Sequence, residues 1–441
     1  MPDLPARPSL EHLRKQAKAR RRAKGIELSR AQFEIAREYG FGSWPRLVHH
    51  VEAAGLTGIE RALVLGSPAE LAAFLAAPGA ATTPIGGLPP LLVLLRRSTG
   101  TPADVRACVE LLLDAGADPS SHETENGGEW HRSALYEAVR RSDLALARLL
   151  LDRGAVHDED AFYHACEQSD LRLLDLLYRP GFERWNVNHK LDFEDLDGLR
   201  WFLDHGADVE ADCCLHHAIV RGRSLPIIEL ILDAGADVNK PWTRWDVGRR
   251  PLALAARAGH LAAYDLLVAR GATADLDPVD EAVLAVARGE SDRLPAARPP
   301  GLGNATDHSE WLLGQFAHLG RLDVVRSLLD AGMPVDTPGW SGFTPLQHAA
   351  AHGRVQMVRL LLDRGADPAR QAWDDDDDGY GPNALNFAVW GLRASRAADG
   401  DYPATVRTLL AAGAPVRITK PTGDAEIDAL LTTADPGLLA G

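Results

Sequence analysis

One string recurs along this chain and limits what it can become: an apolar triplet, two further residues, then Gly-Ala. Leu111-Leu112-Leu113-Asp114-Ala115-Gly116-Ala117-Asp118 returns at residues 149–155, 201–208, 230–237, 266–272 and 360–367, with weaker copies ending at Gly332 and Gly413. The triplet reads as the buried face at the end of a helix, and the glycine supplies the left-handed residue that stops it. A second string marks a shorter helix before each triplet, clearest as Thr344-Pro345-Leu346-Gln347-His348-Ala349-Ala350 followed by Gly353. Thr caps that helix, Pro occupies its first turn, and Leu with the alanines faces inward. Register places unit starts near 57, 89, 133, 160, 185, 213, 250, 280, 311, 344 and 383. A chain of 441 residues exceeds one ordinary core, and a repeated unit of about 33 residues resolves that difficulty.

These strings as a set resemble the ankyrin repeat over about residues 55–420. Units depart from the signature where Thr-Pro reads Cys213-Cys214, Arg250-Pro251, Asp280-Glu281 or Trp311-Leu312, and those near 57, 185 and 280 are degenerate. The resemblance implies an all-α solenoid of ten or eleven helix-turn-helix units, with hairpin loops along one edge. One unit cannot bury both helix faces alone, which agrees.

The ends differ from the array. Residues 1–54 read as an N-terminal helical cap module. A helix over 8–24 is capped by Ser9, with Leu10, Leu13 and Ala17 on one face and Arg14, Lys15, Lys18, Arg20, Arg21 and Arg22 elsewhere. A second helix is expected over 30–38 and a third from Phe41 toward Glu52. The Pro8-Ser9-Leu10-Glu11 opening and residues 36–45 are similar to a helical segment that precedes the repeats in some bacterial ankyrin repeat domain-containing proteins. Residues 421–441 read as a capping helix over 425–431 and a tail.

With 62 acidic against 47 basic side chains the net charge is −15, which opposes non-specific binding to phosphate backbones and anionic lipid. No run of about 18 apolar residues suits a membrane span, and no apolar segment follows the basic cluster as in a secretory signal. Four cysteines, two of them vicinal, suit a reducing compartment. The expected location is the cytoplasm.

Candidate chemistry is sparse. The aspartate run 374–378 with Gly379 starts like an EF-hand loop, but its twelfth position is Leu385 rather than a bidentate Glu. Cys213-Cys214-Leu215-His216-His217 looks like a metal cluster until register is applied. Neighbouring residues on a helix point apart, whereas zinc needs four converging ligands. The resemblance puts His216 at the family's histidine position, bonded to backbone of the neighbouring loop. His164, His217 and His348 share one position on units too far apart for a common metal. There is no P-loop, nucleophile elbow or His-Glu-x-x-His, and Gly301-Leu302-Gly303 lacks the third glycine of a dinucleotide site. The sequence thus predicts no catalytic residue, cofactor or metal.

A binding surface remains. Loops carry Trp130, Trp242, Trp245, Trp340, Trp373 and Tyr380, residue types that often anchor partners. The ends of the first helices carry Arg140, Arg141, Gln168, Arg221 and Arg257, then His318, His352 and Trp390. A locally basic floor inside an acidic protein would suit an acidic peptide or protein segment. The leading expectation is a non-catalytic protein-binding scaffold. The alternatives are an enzyme site built across repeats from His217, His348 and Asp376, and nucleic-acid binding through Arg20, Arg21 and Arg22.

Overall fold

The computed structural model describes residues 9–24, 28–40, 44, 47–48, 51, 55–125, 130–243, 248–293, 312–339, 342–372, 382–393, 397, 399–416, 418 and 422–434. They divide into two compact units, one of residues 1–182 with 419–421 and 431–441, the other of residues 183–418 with 422–430.

The first unit opens with α1 (Leu10–Lys24) and α2 (Leu28–Glu38). Leu13 and Ala17 share a core with Ile35, Ala36, Leu47 and Val51, the apolar stripe expected from the sequence. Arg20 bonds Glu38 at 2.8 Å and Lys24 bonds Glu34 at 2.7 Å along its edge. Helix pairs follow: α3 (Gly58–Leu65) with α4 (Pro68–Leu75), α5 (Pro90–Arg97) with α6 (Pro102–Asp114), α7 (Ala134–Arg140) with α8 (Leu144–Asp152), and α9 (Glu159–Cys166) with α10 (Leu171–Leu177). The long connection before α7 forms an antiparallel hairpin of β1 (His122–Glu125) and β2 (Trp130–Ser133), registered from His122 opposite Ser133 to Glu125 opposite Trp130.

The second unit continues the pairing with α11 (Glu183–Lys190) and α12 (Leu196–Asp204), α13 (Cys214–Val220) and α14 (Leu225–Asp233), and α15 (Pro251–Arg257) and α16 (Leu261–Ala269). Next comes α17 (Pro278–Ala287), followed among the described residues by a short 3-10 turn, Ser291–Arg293. Three more pairs are α18 (Leu312–His318) with α19 (Leu322–Asp330), α20 (Pro345–Ala351) with α21 (Val355–Asp363), and α22 (Ala384–Arg393) with α23 (Tyr402–Ala411). The last described helix is α24 (Ala425–Ala434). Each first helix begins within two residues of a start expected from the repeat register.

Local chemistry explains these boundaries. The hydroxyl of Thr344 accepts from the Gln347 amide while the Gln347 side chain reaches back to the Thr344 amide, so two orphan donors at the start of α20 are satisfied together. Asp277 and Asp280 do the same for α17. At the triplet ends, the Gly116 amide donates to Leu113 at 3.0 Å and the Ala117 amide to Leu112 at 2.9 Å. That closure needs the positive φ of 93° at Gly116. In most triplets the middle residue is the buried one, as Leu112, Leu150 and Leu361 show, while their flanks are half-buried; Trp201 beside Phe202 is buried as well. Successive residues turn by about 100° on a helix, so three in a row cannot share one face.

First helices bury almost every side chain, as in residues 251–256 of α15, whereas second helices bury one stripe, as in Ile227, Ile228 and Ile231 of α14. The degenerate unit near 185 replaces apolar contacts with polar ones. Asn188 donates to the Asp212 carbonyl at 2.5 Å, and buried Lys190 pairs with Asp195 at 2.6 Å. Exposed Arg–Asp pairs join successive second helices, Arg153 with Asp114, Arg270 with Asp233 and Arg364 with Asp330, at 2.7, 2.8 and 2.8 Å. Each contributes at most about 1 kcal/mol.

First helices approach closely where side chains are small. A Cβ at Gly391 of α22 would lie 1.9 Å from the Ala351 carbonyl oxygen. Glycine to alanine inside a helix ordinarily gains about 1 kcal/mol; here overpacking reverses the sign. Gly391→Ala is expected to cost about 2 kcal/mol or more, read as a lowered urea midpoint with unchanged slope.

Candidate functional site

The inner face of the second unit folds onto itself. Helix α13 ends at Arg221-Gly222-Arg223, and the loop after α11 brings Asp192 beside it. Asp192 accepts from His217 Nε2 at 2.8 Å and His189 Nδ1 at 3.2 Å, and pairs with Arg221 Nε at 2.8 Å. Burial alone would raise its carboxyl, yet these hydrogen bonds and the Arg221 charge hold it well below the usual carboxylate range. Opposite stand Gln315 and His318 of α18, Gln347 and His348 of α20 with His352 just beyond it, Phe343 before α20, and Phe387 and Trp390 of α22. Together these residues line a cavity of about 150 Å³.

Close contacts join the two sides. His318 Nε2 donates to the Gly222 carbonyl at 3.3 Å, and a Cβ at Gly222 would sit 2.8 Å from that nitrogen. The rings of Phe193 and Trp390 are 6.0 Å apart, and within the opposite side those of His318 and His352 are 3.9 Å apart. This is a partly open pocket let into the inner face. Its origin is curvature accumulated over several units, which no single repeat encodes.

The expected basic floor is largely neutralised. Arg257 bonds Asp280 at 2.6 Å and Asp277 at 2.5 Å, and Arg249 bonds the same Asp280 at 2.8 Å. Arg141 donates through Nε and Nη2 to the Leu95 carbonyl at 2.8 and 2.5 Å. Gln168 bonds the Val139 carbonyl, Arg321 the Ala287 carbonyl and Arg354 the His318 carbonyl in the same manner. Side chains just after one first helix therefore satisfy orphan carbonyls at the end of the preceding one. Arg140 keeps an exposed side chain, 3.2 Å from Glu137.

Of the aromatic residues, Trp242 corrects the expectation of an exposed finger. It is 3% exposed and stacks on His216 with ring centroids 5.6 Å apart, because a large ring gains more from covering the neighbouring hairpin than from water. Trp130 lies in β2. Trp245, Trp340, Trp373, Tyr380 and the aspartates 374–378 fall outside the described residues. Trp390 is 45% exposed at the pocket rim. Its partnership with Phe193 was not legible, since the two are almost two hundred positions apart in sequence.

The histidines separate by environment. His216 donates through Nε2 to the Lys240 carbonyl at 2.8 Å, the loop bond its register implies. His164, His217 and His348 share a helical position but meet Glu167, Asp192 and the pocket respectively. All four cysteines are buried free thiols, and burial raises Cys108 to about 11. Among the described residues no three His, Cys, Asp or Glu side chains converge as a metal site. In the N-terminal helix Arg20 is held by Glu38, while Arg21 and Arg22 are exposed.

Paired helices, opened most clearly at Thr344-Pro345 and closed by Gly-Ala turns, define an all-α ankyrin repeat solenoid. Residues 315–362 and 348–399 match the family described as "Ankyrin repeats (many copies)". Relatives include "Ankyrin repeat, SAM and basic leucine zipper domain-containing protein 1" of Neofelis nebulosa, 49% identical over 47 residues, 11% of this chain and 10% of the relative. The protein of the same description from Atelerix albiventris is 51% identical over 47 residues, again 11% and 10%. The chain thus spans about a tenth of the length of these relatives. They are mammalian, and nothing in the matches supports a bacterial source.

Burial lowers His348 to about 4 and His352 to about 3, and it also holds His318 well below the ordinary imidazole range. An unfolded histidine titrates near 6.5, so below that pH the unfolded chain takes up protons that the folded one refuses. Stability is therefore full above about pH 6.5 and declines as pH falls toward the folded values, by on the order of 2 kcal/mol per histidine at pH 5. Urea midpoints at pH 7 and pH 5 check this. His352→Gln is expected to flatten the decline.

Proposed function

We propose that the protein is a non-catalytic, repeat-based binding scaffold that holds a protein or acidic peptide segment on its inner face and loop edges. Ankyrin repeats are generally protein-interaction modules, and the observation that carries the reading here is the pocket. It is ringed by Arg221, Arg223, Phe387 and Trp390, the residue types from which binding anchors are made. Trp130, Trp245, Trp340, Trp373, Tyr380, Arg140 and Arg221 are the proposed contacts. Trp242, Arg141 and Arg257 serve instead to tie neighbouring units together.

The four buried thiols suit a cytoplasmic location. No helix among the described residues is long and apolar enough to cross a membrane, and the net charge of −15 argues against nucleic acid. Similarity of the N-terminal stretch to a bacterial segment remains the ground for proposing a bacterial source. A catalytic reading draws on the clustered histidines. Against it, burial holds His348 at about 4, too weak a base near neutral pH, and no Ser, Thr or Cys lines the cavity among the described residues.

Affinity capture from the native cell, repeated with Trp245→Ala, Trp373→Ala and Trp390→Ala, tests the scaffold. Loss of a true aromatic anchor is expected to weaken binding by about 2 kcal/mol, roughly thirtyfold, with folding intact. Parent-like capture by all three variants would place the contact elsewhere, and turnover of a small molecule by the protein alone would overturn the non-catalytic reading.

A further inference from the structure

The pocket wall offers donors in excess of acceptors. Asp192, the one carboxylate among its described lining residues, already accepts from two histidines and pairs with Arg221. Arg223 is buried. Its Nε and Nη2 bond the Arg221 carbonyl at 3.2 and 2.7 Å, while Nη1 stands 3.7 Å from Glu194. Glu194 itself accepts from the Ser224 amide at 3.2 Å. Burial pulls the Arg223 guanidinium below its ordinary value, the mark of a positive charge that its surroundings compensate incompletely.

Two further groups lack a hydrogen-bond partner among the described residues. Gln315 Nε2 is buried with none. The half-buried ring of His348 meets Phe343 and His318 through its faces and edges, at 5.7 and 6.3 Å between centroids. A buried donor left unpaired costs about 1–3 kcal/mol, so the pocket as it stands favours an incoming acceptor. Phe343 and Phe387, 4.6 Å apart between centroids, and Trp390 form the apolar wall.

We infer that the cavity binds one carboxylate group carried on a small, flat apolar body. Three features select that chemistry. Arg221 and Arg223 face the cavity beside Asp192, and Glu194 stands 3.7 Å from Arg223 outside the lining, so the cationic surplus is small and matches a monoanion better than a phosphate dianion. The unpaired donors accept lone pairs in number. A cavity of about 150 Å³ with Phe343, Phe387 and Trp390 along one wall has the volume that holds a benzene ring, which sets the size of the body. The inference rests on the binding role of the inner face and specifies what that face grips. The carboxylate comes either from a side chain or terminus of a docked segment or from a free small acid.

Titration calorimetry on the full chain with benzoate and benzamide decides it. Benzoate is expected to bind at least tenfold more tightly than benzamide. Gln315→Leu, which keeps the volume and removes the donor, is expected to lose tenfold for benzoate with unchanged thermal melting, while Arg200→Ala, an exposed side chain outside the pocket, behaves like the parent. Equal affinity of the two probes, or no benzoate binding, overturns the inference. If Gln315→Leu fails to fold, the comparison of probes in the parent still decides. Competition identifies the source: benzoate that displaces a captured protein marks a carboxylate of the docked segment, and benzoate bound beside a retained protein marks a free acid. Capture without benzoate binding removes this inference alone. Benzoate binding without capture of any protein removes the scaffold reading and leaves the site.

Discussion

Where α20 meets α22, first helices touch through alanine, leucine and glycine, at a separation set by the backbone itself where Gly391 meets the Ala351 carbonyl. Small residues at such contacts let dispersion and apolar burial accumulate over long stretches of helix. A helix pair separated from its neighbours would expose most of its first helix, so each unit is stable only as a member of the stack. The close approach also brings the end of one first helix within reach of side chains from the next. That is why polar atoms at the helix ends find partners across units rather than in water.

Those cross-unit bonds dictate what the inner face can offer. His216 to Lys240 and Gln347 to Arg370 tie the loop edge together, and Arg141, Arg321 and Arg354 tie the helix ends. Arginines spent on carbonyls and aspartates contribute little field to the solvent. The pocket is where this saturation fails, since Arg223 and Gln315 keep incomplete coordination at the point where the inner face closes. Recognition by such a site depends on matching a few buried donors, which gives chemical selectivity out of proportion to the area involved.

The repeat strings alone sufficed for the helix starts, the glycine stops and the loop bond of His216. Each of these depends on contacts within a unit or to its immediate neighbour, and so repeats with the sequence. The burial of Trp242 was not legible, because the same aromatic residue on a loop either covers a hairpin or faces a partner. The pairing of Arg257 with Asp277 and Asp280 is not legible in the repeat strings, because the acids lie in the next unit at a position where the Thr-Pro signature is lost. Closure of the inner face lies furthest from the sequence. A small rotation per unit, summed from α11 to α22, decides whether Phe193 meets Trp390.

That closure is the central claim, and ring-to-ring magnetisation transfer measures it directly. In a chain with only Phe and Trp rings protonated, Trp390 is expected to show a cross-peak to Phe193 that vanishes in Phe193→Leu, beside its sequence-local contact to Phe387. A Trp390 ring that senses Phe387 and nothing from the loop after α11 would mean an open groove, and the pocket would not exist.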